Sequence, residues 1–188
     1  MHRIALLVLL WALPAAAFAE QILEGYTVVS GRDYAFELKA PRGWYLDNRS
    51  GRDQGINVVF YPRGYAWDTA PAVCYVRVRT IGGKILRIED QVEDTLRTLR
   101  ENGAANPQAH LETTITTQDA TKARVYYFHG DRFGNLEATA YVQAGKSIHF
   151  VTLSAHDETA FRNALSAFEA LVSSYEDLAK PASPAASR

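Results

Sequence analysis

The sequence predicts an α+β fold, a mostly antiparallel β-sheet sandwiched between helices. Three observations carry this. Apolar residues recur at period two along most of the chain, the spacing of strands. Two segments switch to helical spacing, one over 88–102 and one opening at Asp157. Four strand-like segments over 110–155 are joined by short polar connections, which suit antiparallel neighbours because a parallel pair needs a long crossover.

Each element follows from its residues. In 34–40, Tyr34, Phe36 and Leu38 alternate with Glu37 and Lys39, a strand with one apolar face. Pro41-Arg42-Gly43 turns the chain, and Trp44 opens a short segment to Leu46. A polar loop follows over 47–55, then a strand over 57–61 that Pro62 ends. In 72–80, Val73, Tyr75, Arg77 and Arg79 face one way and Cys74, Val76 and Val78 the other. Gly82-Gly83 breaks the pattern, and the helix over 88–102 presents Ile88, Val92, Leu96 and Leu99 on one face before Gly103 stops it. The later strands are read over 110–117, 123–129, 136–144 and 147–155. Asp157 is placed to cap the last helix, with Glu158 favouring its N-terminal dipole. Phe161, Leu165, Phe168, Leu171, Val172 and Tyr175 form its apolar stripe.

The register of the last hairpins is also readable. Gly145-Lys146 makes a two-residue turn with glycine first, as a type II′ turn prefers, so Ala144 faces Ser147 and Val142 faces His149. One face then carries Val125, Tyr127, Ala138, Ala140, Val142, Val151 and Leu153. The other carries Tyr126, Phe128, Thr139, Tyr141, Ile148 and Phe150. Both faces are apolar, so each needs a cover.

The chain's first residues carry an address. Met1-His2-Arg3 gives a positive start, an apolar run follows to Leu13, and Ala17-Phe18-Ala19 has the small-x-small form that signal peptidase cuts. Residues 1–19 therefore read as a signal peptide, 20–178 as one domain, and the Pro-, Ala- and Ser-rich 179–188 as a disordered tail. The apolar run is shorter than the ~20 residues a spanning helix needs, so the expectation is an exported periplasmic protein without a membrane anchor. With 20 Lys and Arg against 21 Asp and Glu, the chain is near neutral, which argues against nucleic acid as a partner. Cys74 is the sole cysteine, so no internal disulfide is available, and its strand-like surroundings mark it as a small core hydrophobe.

The order of elements, with the Pro41-Arg42-Gly43-Trp44 turn after the first long strand and the aromatic-rich final meander, resembles the PsbP/Mog-like α-β-α sandwich group. That group includes the lumenal extrinsic protein of photosystem II, a nuclear-transport factor and many small bacterial exported proteins. The resemblance implies a protein-binding role and no established enzymatic activity. No family binding residue maps onto this chain.

The residues themselves carry no catalytic signature. Ala144-Gly145-Lys146-Ser147 lacks the first glycine of a phosphate loop and has strands on both sides. His156-Asp157-Glu158 is better explained by helix capping than by metal, and His110 with Glu112 is no spaced ligand set. His129 and His149 read as neighbours on one sheet face, a candidate pair for a metal or a proton. No metal, cofactor or catalytic residue is assigned. The features that suggest function are two loops. Arg63, Tyr65 and Trp67 lie between two strands and are residue types enriched in binding hot spots. Phe133 stands at the tip Asp131-Arg132-Phe133-Gly134-Asn135. The leading expectation is a non-enzymatic protein that binds another envelope protein. Two alternatives remain open: a small-molecule or lipid carrier with an apolar pocket formed by Tyr126, Phe128, Tyr141 and Phe150, and a hydrolase with an unrecognised site.

Overall fold

The structure, a computed structural model, describes residues 25–179, so the expected signal peptide and nearly all of the expected tail lie outside the described residues. The chain forms strands β1 (Tyr26–Ser30), β2 (Ala35–Lys39), β3 (Trp44–Asp47), β4 (Val58–Pro62) and β5 (Ala72–Thr80), helix α1 (Ile88–Glu101), strands β6 (Gln108–Thr116), β7 (Lys122–His129), β8 (Leu136–Ala144) and β9 (Ser147–Ala155), helix α2 (Glu158–Ser173) and strand β10 (Glu176–Asp177). Seven strands make one sheet in the order β3-β4-β5-β9-β8-β7-β6, with every neighbouring pair antiparallel. After β5 the chain crosses on α1 to the far edge and returns as the β6–β9 meander, which brings β9 back beside β5. No helix among the described residues is long and apolar enough to cross a membrane.

The hairpin register is the one the turn chemistry demands. Ala144 pairs with Ser147 and Val142 with His149. Gly145 has φ +54°, a left-handed backbone that glycine enters without a Cβ clash. The two faces divide as alternation requires. On one, Cys74, Val76, Val125, Ala138, Ala140, Val142, Val151 and Leu153 pack with Phe161, Phe168, Leu171 and Val172 of α2. On the other, Tyr126, Phe128, Tyr141 and Ile148 pack with Ile88 and Val92 of α1, and Leu96 and Leu99 add partial cover. The Asp157 carboxylate caps α2 by accepting the Ala160 N–H at 2.8 Å.

The α2 side has a second cover that local sequence did not reveal. Strands β1, β2 and β10 form a small antiparallel sheet that contributes Val29, Phe36 and Leu38 to the core beside α2. β10 has two residues and exists only through its pairing with Glu37 and Phe36, so no periodicity could announce it. Within the loop expected over 47–55, Arg52–Gln54 form a single 3-10 turn. Cys74 is fully buried, and burial pushes its thiol pKa up, away from the reactive thiolate.

Candidate functional site

The pairing of β5, β9 and β8 fixes where the loops fall. Ala72 at the start of β5 pairs with Ala155 at the end of β9, and Ala155 pairs with Leu136 at the start of β8. The β4–β5 loop, the β9–α2 joint and the β7–β8 tip therefore stand side by side at one end of the sheet. His156 links them: its backbone N–H donates to the Pro71 carbonyl at 3.2 Å, and its Nδ1 meets the Asn135 side-chain oxygen at 3.2 Å.

This arrangement brings the four residues singled out in the two loops to the same end. Tyr65 is 50% exposed and Phe133 is 71% exposed. Trp67 is half-buried, shared between the sheet end and solvent. The Arg63 guanidinium lies over the Tyr45 ring at 5.5 Å, and Arg132 lies over Phe133 at 4.4 Å. Strand spacing of about 4.8 Å puts the two loops roughly 10 Å apart across β9. The tip is held in shape by Asp131, whose carboxylate accepts the N–H groups of Phe133 at 3.0 Å and Asn135 at 2.8 Å. Gly130 has φ +81°, and a side chain there would meet the Asn106 carbonyl at 2.8 Å, so glycine lets the tip lie against the α1–β6 loop.

The expected histidine pair is not formed. His129 pairs with Gln108 at the loop end, while His149 pairs with Val142 at the other, roughly 20 Å away along the strands. His129 instead stacks on His110, with ring centroids 5.3 Å apart. His110 Nε2 meets Glu112 at 3.1 Å in an exposed contact. Among the described residues no group of three His, Cys, Asp or Glu side chains is placed to hold a metal ion.

His149 has a different role. It is 2% exposed and stacks on Phe36 at 4.3 Å. The Ser147 hydroxyl donates to the Ala144 carbonyl at 3.1 Å, so its oxygen accepts from His149 Nε2 at 2.7 Å, and Nδ1 accepts from the Tyr175 hydroxyl at 2.8 Å. The Ser147 hydroxyl, both ring nitrogens of His149 and the Tyr175 hydroxyl are thus all hydrogen-bonded. Burial lowers the imidazole pKa to about 4, against a smaller opposing pull from Asp177. A serine beside a histidine suggests a nucleophile, but Ser147 is buried and its proton is committed to a backbone carbonyl, so this contact is structural.

Between α1 and the β5–β9–β8 part of the sheet lies a cleft of about 380 Å³. Tyr141 and Phe150 line it, but Tyr126 and Phe128 do not; they are packed into the core under α1. The pocket expected to be apolar is therefore of mixed character, because Arg77, Gln91, Glu137, Thr139 and Thr152 line it alongside Val78 and Leu99. Burial raises the Glu137 pKa, opposed by hydrogen bonds from Ser154 and Tyr75.

No family model matches the sequence. No curated protein matches it at a significant level. The likeness lies in the fold. Cyanobacterial PsbP (CyanoP) from Synechocystis sp. PCC 6803 superposes with a TM-score of 0.54 at 17% identity, over 87% of this chain and 99% of that one. A protein from Bacteroides thetaiotaomicron gives 0.46 at 11% identity, over 82% of this chain and 49% of that one. A variant of the protein Mog1 gives 0.45 at 9% identity, over 80% and 95%. The resemblance carried by the Pro41-Arg42-Gly43-Trp44 turn and the aromatic meander thus holds for architecture: this chain has the α+β fold of PsbP.

Proposed function

We propose that this chain is an exported, non-enzymatic binding protein that captures another protein of the cell envelope at the loop end of its large sheet. One observation carries the reading: Tyr65 and Phe133, from loops 68 positions apart in the sequence, are both exposed at the same end, each with an arginine in its own loop. Large aromatics and arginine are the residue types that dominate binding energy at protein interfaces. Exposed aromatics cost solvation and contribute nothing to the core, so their retention at one end fits a contact surface.

The test replaces Arg63, Tyr65 and Phe133 with alanine together and uses the immobilised mature protein to capture partners from the organism's own envelope extract. A partner retained by the native protein should be lost by the variant, while the thermal midpoint moves by no more than a few degrees. Undiminished capture by the folded variant refutes the loop end as the docking surface.

A further inference from the structure

The cleft between α1 and the sheet holds two buried groups of opposite hydrogen-bonding sense with nothing to meet them. Gln91, on the inner face of α1, is 6% exposed. Its amide nitrogen donates to Thr95 Oγ1 at 3.3 Å, while its amide oxygen is buried without a hydrogen-bond partner among the described residues. Across the cleft on β5, Nε of Arg77 is likewise buried and unpartnered, although one terminal nitrogen reaches the Gln54 carbonyl at 3.5 Å. Each such group costs about 1–3 kcal/mol when left unmet. Native folds seldom keep two in one place without a use for them.

The charges around the cleft sort in the same way. Arg79 meets Asp94 at 3.3 Å, and Asp94 also binds Arg97, so these charges answer one another. Arg77 forms no ion pair among the described residues; its guanidinium lies over the Tyr75 ring at 5.2 Å. Glu137 accepts the Tyr75 hydroxyl at 3.4 Å and a hydrogen bond from Ser154, and it also lines the cleft. The floor between them is Thr139 and Thr152, whose hydroxyls bond each other at 3.0 Å, and Tyr141 and Phe150 give one apolar wall. A donor cation, an acceptor carboxyl and an acceptor amide oxygen thus surround a space at the small end of the range for ligand pockets.

We propose that this cleft binds a small zwitterion bearing one carboxylate and one ammonium group, the carboxylate toward the Arg77 guanidinium and the ammonium toward Glu137 and the Gln91 amide oxygen. A guanidinium suits a carboxylate because its fork of N–H donors matches the two oxygens. An ammonium brings three donors, enough for the Gln91 oxygen and a Glu137 oxygen together. The site lies along α1 and stands independently of the loop-end partner.

The experiment is an amide NMR titration of the mature protein with glycine, L-alanine, 4-aminobutyrate and glycylglycine, which vary the spacing between the charges, and with acetate and methylammonium as single-charge controls. At least one zwitterion should give saturable shifts at Gln91, Thr139 and Thr152 that neither control reproduces. Arg77→Met and Gln91→Leu should each weaken that binding at least tenfold without a change of fold, and the isosteric Glu137→Gln serves if either fails to fold. Absence of saturable shifts with every zwitterion, equal shifts with acetate, or unchanged affinity in the folded variants overturns the proposal.

Discussion

The two ends of the seven-stranded sheet are built from the same strands and finished differently. At the end holding the β8–β9 turn, the chain is tied down. His149 bridges Ser147 and Tyr175. The Asp119 carboxylate accepts from Thr117 Oγ1 at 2.5 Å, from the Thr121 N–H at 3.1 Å and from the Asp177 N–H at 3.3 Å, and the Gln118 N–H donates to the Tyr175 carbonyl. These bonds fasten the β6–β7 turn to β10 and the small sheet to the large one. At the other end, Tyr65 and Phe133 stand in solvent on loops shaped by their own residues. Polar groups spent inward stabilise a fold, whereas apolar groups spent outward stabilise nothing until a partner arrives. The difference assigns stability to one end and, on the binding role proposed above, leaves the other for recognition.

Substitutions at the tied end should move stability most. The largest effect comes from His149. The folded ring resists protonation down to about pH 4, while the unfolded chain takes the proton near 6.5, so in that window the unfolded state binds more protons. Stability is whole above pH 6.5 and falls as pH drops toward 4, by on the order of 3 kcal/mol. Urea unfolding across that range should show the decline, and His149→Gln, which keeps hydrogen-bonding capacity without a titrating ring, should flatten it. Glu137 works in the opposite direction, because a raised carboxyl pKa makes the folded state the better proton acceptor, so the two variants separate the contributions.

A smaller loss is expected from Asp119→Ala. Partial burial pushes this carboxyl up, but the hydrogen bonds from Thr117, Thr121 and Asp177 outweigh it and hold its pKa below the usual value. Removing it strands several donors and should cost about 1–3 kcal/mol in denaturant unfolding at neutral pH. Asp157→Ala, which removes the α2 cap at the loop end, should cost about 1 kcal/mol. Phe133→Ala should change stability by no more than about 0.5 kcal/mol, the range for an exposed side chain, and yet abolish partner capture. A Phe133→Ala loss as large as that of Asp119→Ala would erase the contrast between the ends.

Much of this architecture is legible before any coordinates. The β8–β9 register follows from a two-residue turn and strict alternation, and both sheet faces follow from the register. The α2 cap is local chemistry. What escapes is whatever depends on pairing between distant segments. β10 exists because β2 passes beside it, and β1 because β2 offers its other edge. The shared position of Tyr65 and Phe133 needs the β5–β9 pairing, which no local pattern states. His129 and His149 share a face but not a level: His149 pairs with Val142 near the β8–β9 turn, whereas β7 meets the opposite end of β8, where Phe128 pairs with Glu137. The cleft had a faint signal: Arg77, Glu137, Thr139 and Thr152 are polar residues set among Tyr75, Tyr141 and Phe150 on one sheet face. Only the position of α1 shows that they face a covered space.

The most direct test of the loop end as the recognition surface is site-specific photo-crosslinking in living cells, with a benzophenone amino acid placed in turn at Tyr65, Phe133 and Lys146. Lys146 lies in the turn at the tied end and serves as the control. The account predicts one discrete protein adduct shared by positions 65 and 133 and absent from position 146. Adducts of equal yield from all three positions, or an adduct from position 146 alone, would contradict it.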